Sequence, residues 1–84
     1  RTTVQLLCDT SMTGVIIDRF GAGVAMRPYD NTHILARAQV AVSPQFFGWL
    51  AGLSTHIRVK IWYSVVNEYQ IFLQEILRSY TDMQ

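Results

Sequence analysis

The chain is short of the residues that staple a fold, cross a membrane or do covalent chemistry. A single cysteine among 84 residues, Cys8, excludes an internal disulfide. Its place in the apolar run Val4-Gln5-Leu6-Leu7-Cys8 reads as a buried thiol in a reducing, cytoplasmic setting. No apolar run approaches the roughly 18 to 20 residues of a membrane-spanning helix, and the opening residues lack the basic-then-apolar pattern of a signal peptide. Charged residues are 15% of the chain and sum to a formal net charge of +1, so total charge names no class of partner. No nucleophile stands beside an orienting base: Ser11, Ser43 and Ser54 read as caps and turns. The separations of His33 and His56 from Cys8 and Asp9 match no zinc motif. The expectation is a non-enzymatic chain without metal or cofactor.

What is present is a hydrophobic content of 50%, enough for one packed domain spanning residues 1–84. The chain opens on Arg1 rather than methionine, from which we expect a fragment of a longer polypeptide. Its period of hydrophobicity changes along its length. Thr2 to Asp9 alternates as a strand, with Val4, Leu6 and Cys8 on one face and Gln5, Leu7 and Asp9 on the other. Asp9, Thr10 and Ser11 offer oxygens to cap a helix carrying Met12, Val15, Ile16, Arg19 and Phe20, which ends at Gly21 and Gly23. Val24 to Tyr29 is a short strand whose Pro28 belongs at an edge or an end, because proline cannot donate to a ladder. Asp30-Asn31-Thr32 turns the chain into a longer strand, His33 to Val42.

Ser43-Pro44 then fits an N-cap with proline in the first turn, and Phe46, Leu50 and Leu53 share one helix face. Gly48 and Gly52, four apart, would permit a close backbone approach there. From Ile57 the period falls to two, setting Ile57, Val59 and Ile61 against Arg58, Lys60 and Trp62. Ser64 to about Asp82 is a last helix with a broad apolar stripe. The order β-α-β-β-α-β plus a C-terminal helix implies an α+β fold: a ferredoxin-like two-layer sandwich on a four-stranded antiparallel sheet, with both crossover helices on one face.

Thr3-Val4-Gln5-Leu6, Val15-Ile16-Ile17-Asp18-Arg19-Phe20, Phe46-Phe47-Gly48-Trp49-Leu50-Ala51-Gly52-Leu53, Ile57-Arg58-Val59 and the helix ending at Tyr80 together resemble the C-terminal extension, or WCX domain, of WYL-domain bacterial transcriptional regulators. The resemblance spans nearly the whole chain. It implies a parent protein with a DNA-binding winged helix-turn-helix and a WYL domain, in which this module helps dimerise the regulator and frames effector binding. The chain departs from the family at Ser54, where a glycine is usual, and near Trp62 and Tyr63, where a proline usually precedes the last helix.

Strand alternation collects Arg27, Tyr29, Arg37, Arg58, Lys60 and Trp62 on one sheet face, including four of the seven lysines and arginines. Cations beside aromatic rings suit single-stranded nucleic acid or a small anionic effector. An RRM has the same element order, but His33 to Val40 lacks the stacking aromatics of its third strand. The alternative is a stand-alone ACT-like small-molecule-binding domain, although Asp9-Thr10-Ser11 lacks the glycine that would bring backbone amides near a ligand. Val65, Tyr69, Ile71, Phe72 and Ile76 of the last helix are the expected association surface for a homodimer or a neighbouring domain.

Overall fold

The computed structural model describes residues 1–60 and 63–83. The elements are β1 (Thr2–Asp9), a 3-10 turn (Thr10–Met12), α1 (Thr13–Phe20), β2 (Ala25–Pro28), β3 (His33–Val40), α2 (Pro44–Gly52), a second 3-10 turn (Ser54–His56), β4 (Ile57–Val59) and α3 (Tyr63–Thr81). The fold is α+β, with a four-stranded antiparallel sheet in the order β2-β3-β1-β4. β1 and β3 pair along their whole length, from Thr2 opposite Val40 to Asp9 opposite His33. β4 lies on the far side of β1, with Cys8 opposite Ile57 and Leu6 opposite Val59. β2 is an edge strand that ends at Pro28, so the missing amide costs no ladder bond further along.

Period-two burial explains the layering. Val4, Leu6 and Cys8 are wholly buried and meet Ala36, Ala38, Val40 and Ile57 from the same sheet face. Ile16 of α1 and Phe46, Phe47 and Leu50 of α2 complete one core cluster above them. Phe20 meets Trp49 edge-on at 5.5 Å, so α1 and α2 lie side by side on this covered face.

Local chemistry fixes the helix ends. Ser43 accepts a hydrogen bond from the Phe46 amide at 3.3 Å, and Pro44 opens α2. Gly21 closes α1 at φ 93°, where a side chain would be strained, while its amide donates to Ile17. The cap expected at Asp9-Thr10-Ser11 is not made. The Asp9 carboxylate faces two histidines instead, a 3-10 turn fills the gap, and the Thr13 hydroxyl donates to the Thr10 carbonyl at 2.7 Å. The close approach expected at Gly48 and Gly52 is also absent: both are exposed, with no atom beyond the helix's own local backbone within 4 Å of where a Cβ would stand.

α3 docks at its N-terminal half and projects at its other. Val65 is 4% exposed within the core, and Tyr69 and Phe72 each pack at a tilt against Phe47 of α2, with ring centroids 5.4 Å apart. Burial raises the Tyr69 phenol above its ordinary pKa. Beyond Phe72, the large apolar residues Leu73, Ile76, Leu77, Tyr80 and Met83 are all exposed. Nineteen residues span about 28 Å at 1.5 Å each, a large part of the molecule's 44 Å longest dimension. Among the described residues, no helix is long and apolar enough to cross a membrane.

Candidate functional site

The sheet face opposite the helices is built in three rows, set by register. In the first, Ala25, Arg37 and Gln5 stand side by side, and the Lys60 amide donates to the Gln5 carbonyl at 2.9 Å to extend the row. In the second, Arg27, Leu35, Leu7 and Arg58 cross all four strands. In the third, Asp9 faces His33, with His56 immediately before β4 on Asp9's other side. The strands therefore carry a cationic row, an apolar row rimmed by cations, and a row of aspartate and histidine.

Of the residues expected to form a ligand face, Arg27, Arg37, Arg58, Lys60 and Tyr29 are all exposed. The first four share the open sheet face. Lys60 Nζ sits 4.1 Å from the centre of the Tyr29 ring, a cation–π contact worth about 0.5–1 kcal/mol at an exposed site. Tyr29 follows β2 and Lys60 follows β4, the two edge strands, so this contact straps the open face from one side to the other. Trp62 lies outside the described residues.

Beneath this strap the face departs from a solvated surface. Leu35 falls in the half of β3 that strand alternation assigns to the polar side, yet it is 4% exposed and stands outside the core cluster. A shallow depression of about 170 Å3 opens beside it, lined by Gln5, Ala25, Met26, Arg27, Leu35 and Arg37.

The histidines converge although their sequence spacing gave no sign of it. His56 Nδ1 donates to Asp9 Oδ2 at 2.6 Å, and His33 Nε2 lies 3.5 Å from Asp9 Oδ1. The other nitrogen of His33 lies 2.8 Å from Asp30 Oδ1. The Thr32 backbone amide donates to the same oxygen at 2.9 Å, and with His33 it holds the Asp30 carboxyl below its ordinary pKa. The Asp9–His33 pair could have been read from strand register; the His56 contact required the position of β4. The carboxylates and imidazoles contact one another at hydrogen-bonding or near distance, and among the described residues no three such side chains are arranged to hold a metal.

Among the described residues, the close contacts between a carboxylate and a basic side chain all join an aspartate to a histidine. Among the described residues, no arginine or lysine of the open face contacts a carboxylate. A face with four uncompensated cations, an apolar floor and one ring can hold an anion and cover an attached apolar group.

The association surface needs one correction. Val65 is buried in the domain's own core and does not belong to an exposed surface. Tyr69 and Phe72 are half-buried against α2, whereas Ile71 and Ile76 are exposed. Val66, Tyr69, Leu73, Ile76 and Tyr80 recur at alternating spacings of three and four, the period of a coiled-coil seam. Leu77 sits beside that seam, and Met83 keeps its spacing in sequence just past the end of α3.

Comparison with protein families, with curated proteins and with solved structures found no match to this chain.

Proposed function

We propose that this chain is a non-catalytic regulatory module, the WCX module of a cytoplasmic WYL-type bacterial transcriptional regulator, which receives an anionic effector on its open sheet face and self-associates through α3. The observation that carries the proposal is the convergence of Arg27, Arg37, Arg58 and Lys60 on one face, with none in an ion pair among the described residues. The sheet order β2-β3-β1-β4, with its antiparallel pairs and two helices on one side, supports reading the fold as ferredoxin-like. Ser54 supports the family resemblance: at φ 57° it adopts the left-handed conformation that glycine accepts, where the family usually carries glycine. DNA, the WYL domain and the winged helix are the partners this reading gives the parent protein.

Self-association is supported by the projecting end of α3. At about 200 Å2 for a large apolar side chain, the exposed fractions of Leu73, Ile76, Leu77, Tyr80 and Met83 amount to about 600 Å2. Two copies would bury about 1,200 Å2, the lower end of the range for stable interfaces.

The test is a titration of a fluorescently labelled single-stranded oligonucleotide with the chain and with Arg58→Glu/Lys60→Glu. Affinity should fall about tenfold or more in the double variant, and wild-type binding should weaken as salt is added. The circular dichroism spectrum should stay unchanged, and melting should move by about 8 °C at most, because only the Lys60–Tyr29 contact is lost. Equal affinities, or binding indifferent to salt, would return the face to a solvated surface.

A further inference from the structure

We propose that the depression between β2, β3 and β1 is an oxyanion subsite, in which Arg27, Arg37 and Gln5 grip one carboxylate or phosphate monoester of a small effector. This deepens the anion-binding reading of the open face by naming the group bound and the place that binds it.

The strand register builds the subsite. Ala25 stands opposite Arg37, which stands opposite Gln5; Arg27 stands opposite Leu35, two residues from Arg37 on the same face. Arg27 and Arg37 are therefore diagonal neighbours across β2 and β3, a separation of about 7–8 Å with the Cβ atoms somewhat closer, near enough for both guanidiniums to reach one small group. Ala25 is the short member of its row. Its methyl leaves the dent that a longer side chain would fill, and Leu35 closes it from below.

The donor set suits an oxyanion. Two guanidiniums supply up to ten N–H donors and the Gln5 amide two more, while the lining contains no carboxylate to compete. Planar forks can meet a carboxylate or phosphate with paired hydrogen bonds, which a lysine cannot. The volume sets the scale. About 170 Å3 is below the 300–1,000 Å3 usual for a site enclosing a whole drug-sized ligand. The dent accepts one ionised group, and the remainder of the effector must lie outside it, over the Leu35–Leu7 row or against the Tyr29 ring.

Arginine side-chain NMR on the 15N-labelled chain tests this directly. Inorganic phosphate, thymidine 5′-monophosphate, thymidine and succinate would be titrated separately, following the Nε–H signals of Arg27 and Arg37. Arg19, over the Trp49 ring on α1, and Arg78, on α3, serve as internal controls. Saturable shifts confined to the first pair are expected, with thymidine producing none. Shifts with the phosphates alone identify a monoester site, and shifts with succinate alone a carboxylate site; either supports the subsite.

Ala25→Leu, which fills the dent without altering charge, and Arg37→Gln should each weaken binding about tenfold or more, the loss expected for a charged hydrogen-bonded contact. Arg37→Lys should recover only part of it. No saturable shift with any anion, equal shifts at all four arginines, or undiminished binding by well-folded Ala25→Leu would overturn the proposal. If the subsite fails while oligonucleotide binding remains sensitive to Arg58 and Lys60, the open-face reading survives without it.

Discussion

Cys8 offers a quantitative check on the core and on the absence of a reactive thiol. Its side chain lies wholly buried on the covered face of β1, with Sγ 3.6 Å from the Leu6 carbonyl that it donates to. Burial, reinforced by the adjacent Asp9 charge, pushes its pKa from 9.0 up to about 11. Two units reduce the thiolate fraction about a hundredfold at pH 8, and only the thiolate attacks an alkylating reagent. The reagent must also reach the sulfur. A domain of this size is stable by about 4–12 kcal/mol, so a molecule open enough to react is present at about one part in a thousand or less.

Iodoacetamide at pH 8 should therefore label native Cys8 at least about a thousandfold more slowly than the same chain in denaturant. The linkage has a definite sign. Because the folded value lies above the unfolded one, its contribution is complete below pH 9 and is lost as pH rises from 9 to about 11. The full contribution is about 3 kcal/mol. Melting of the wild type should fall through that window more steeply than melting of Cys8→Ala; the raised Tyr69 phenol acts in the same direction in both proteins. Rapid labelling of native protein, or identical alkaline melting of the two chains, would refute the buried-thiol account.

Ser54→Gly should stabilise the chain by about 0.5–1 kcal/mol in chemical denaturation. The left-handed conformation at φ 57° costs an ordinary residue about 1–2 kcal/mol, and glycine's extra freedom when unfolded offsets part of the relief. A destabilising result would mean that the Ser54 side chain supplies an interaction outweighing the strain. Light scattering on the wild type should give twice the mass of one chain at high concentration, whereas Ile76→Glu/Tyr80→Glu should give a monomer with unchanged helicity. Both residues are exposed in the single chain, so a monomeric wild type would remove the case for self-association through α3.

Much of the layering was legible because burial on a sheet repeats every second residue. Val4, Leu6 and Cys8 announced the covered face, and Ser43-Pro44 marked the start of α2 through a cap the structure contains. Alternation could not anticipate Leu35, which is buried on the opposite face. A helical stripe also carries no mark of where docking stops. Val65 and Ile76 look equivalent in sequence, yet Val65 is enclosed with α2 while Ile76 projects beyond it. The first helix cap failed for a related reason: Asp9 could satisfy the backbone nearby, but His56, 47 residues away, takes its carboxylate. Local propensity cannot weigh a competitor that only the assembled sheet supplies.

The same competition explains how a chain with a net charge of only +1 keeps four cations on one face with no carboxylate contact among the described residues. Of its six acids, Asp18 lies on α1, Glu68 and Glu75 lie on α3, and Asp82 follows α3. Asp9 and Asp30 are the two beside the open face, and histidines occupy them. Asp9 deserves the closer test because Arg58, opposite Leu7, is its diagonal neighbour across β1 and β4 and within reach of a long side chain. Both Asp9 oxygens already face histidines, one from each side, so Arg58 gains less by turning toward them. Distance protects Arg37 and Lys60. The Arg37–Gln5 row stands four residues from the Asp9–His33 row, about 13 Å along the strands. That exceeds the screening length of about 8 Å at physiological salt, so the Asp9 carboxylate acts only weakly on an anion held at Arg37. Holding Asp9 and Asp30 at one end of the face by histidine contacts thus leaves the Arg37–Lys60 end free to act on a ligand, a property that net charge alone conceals.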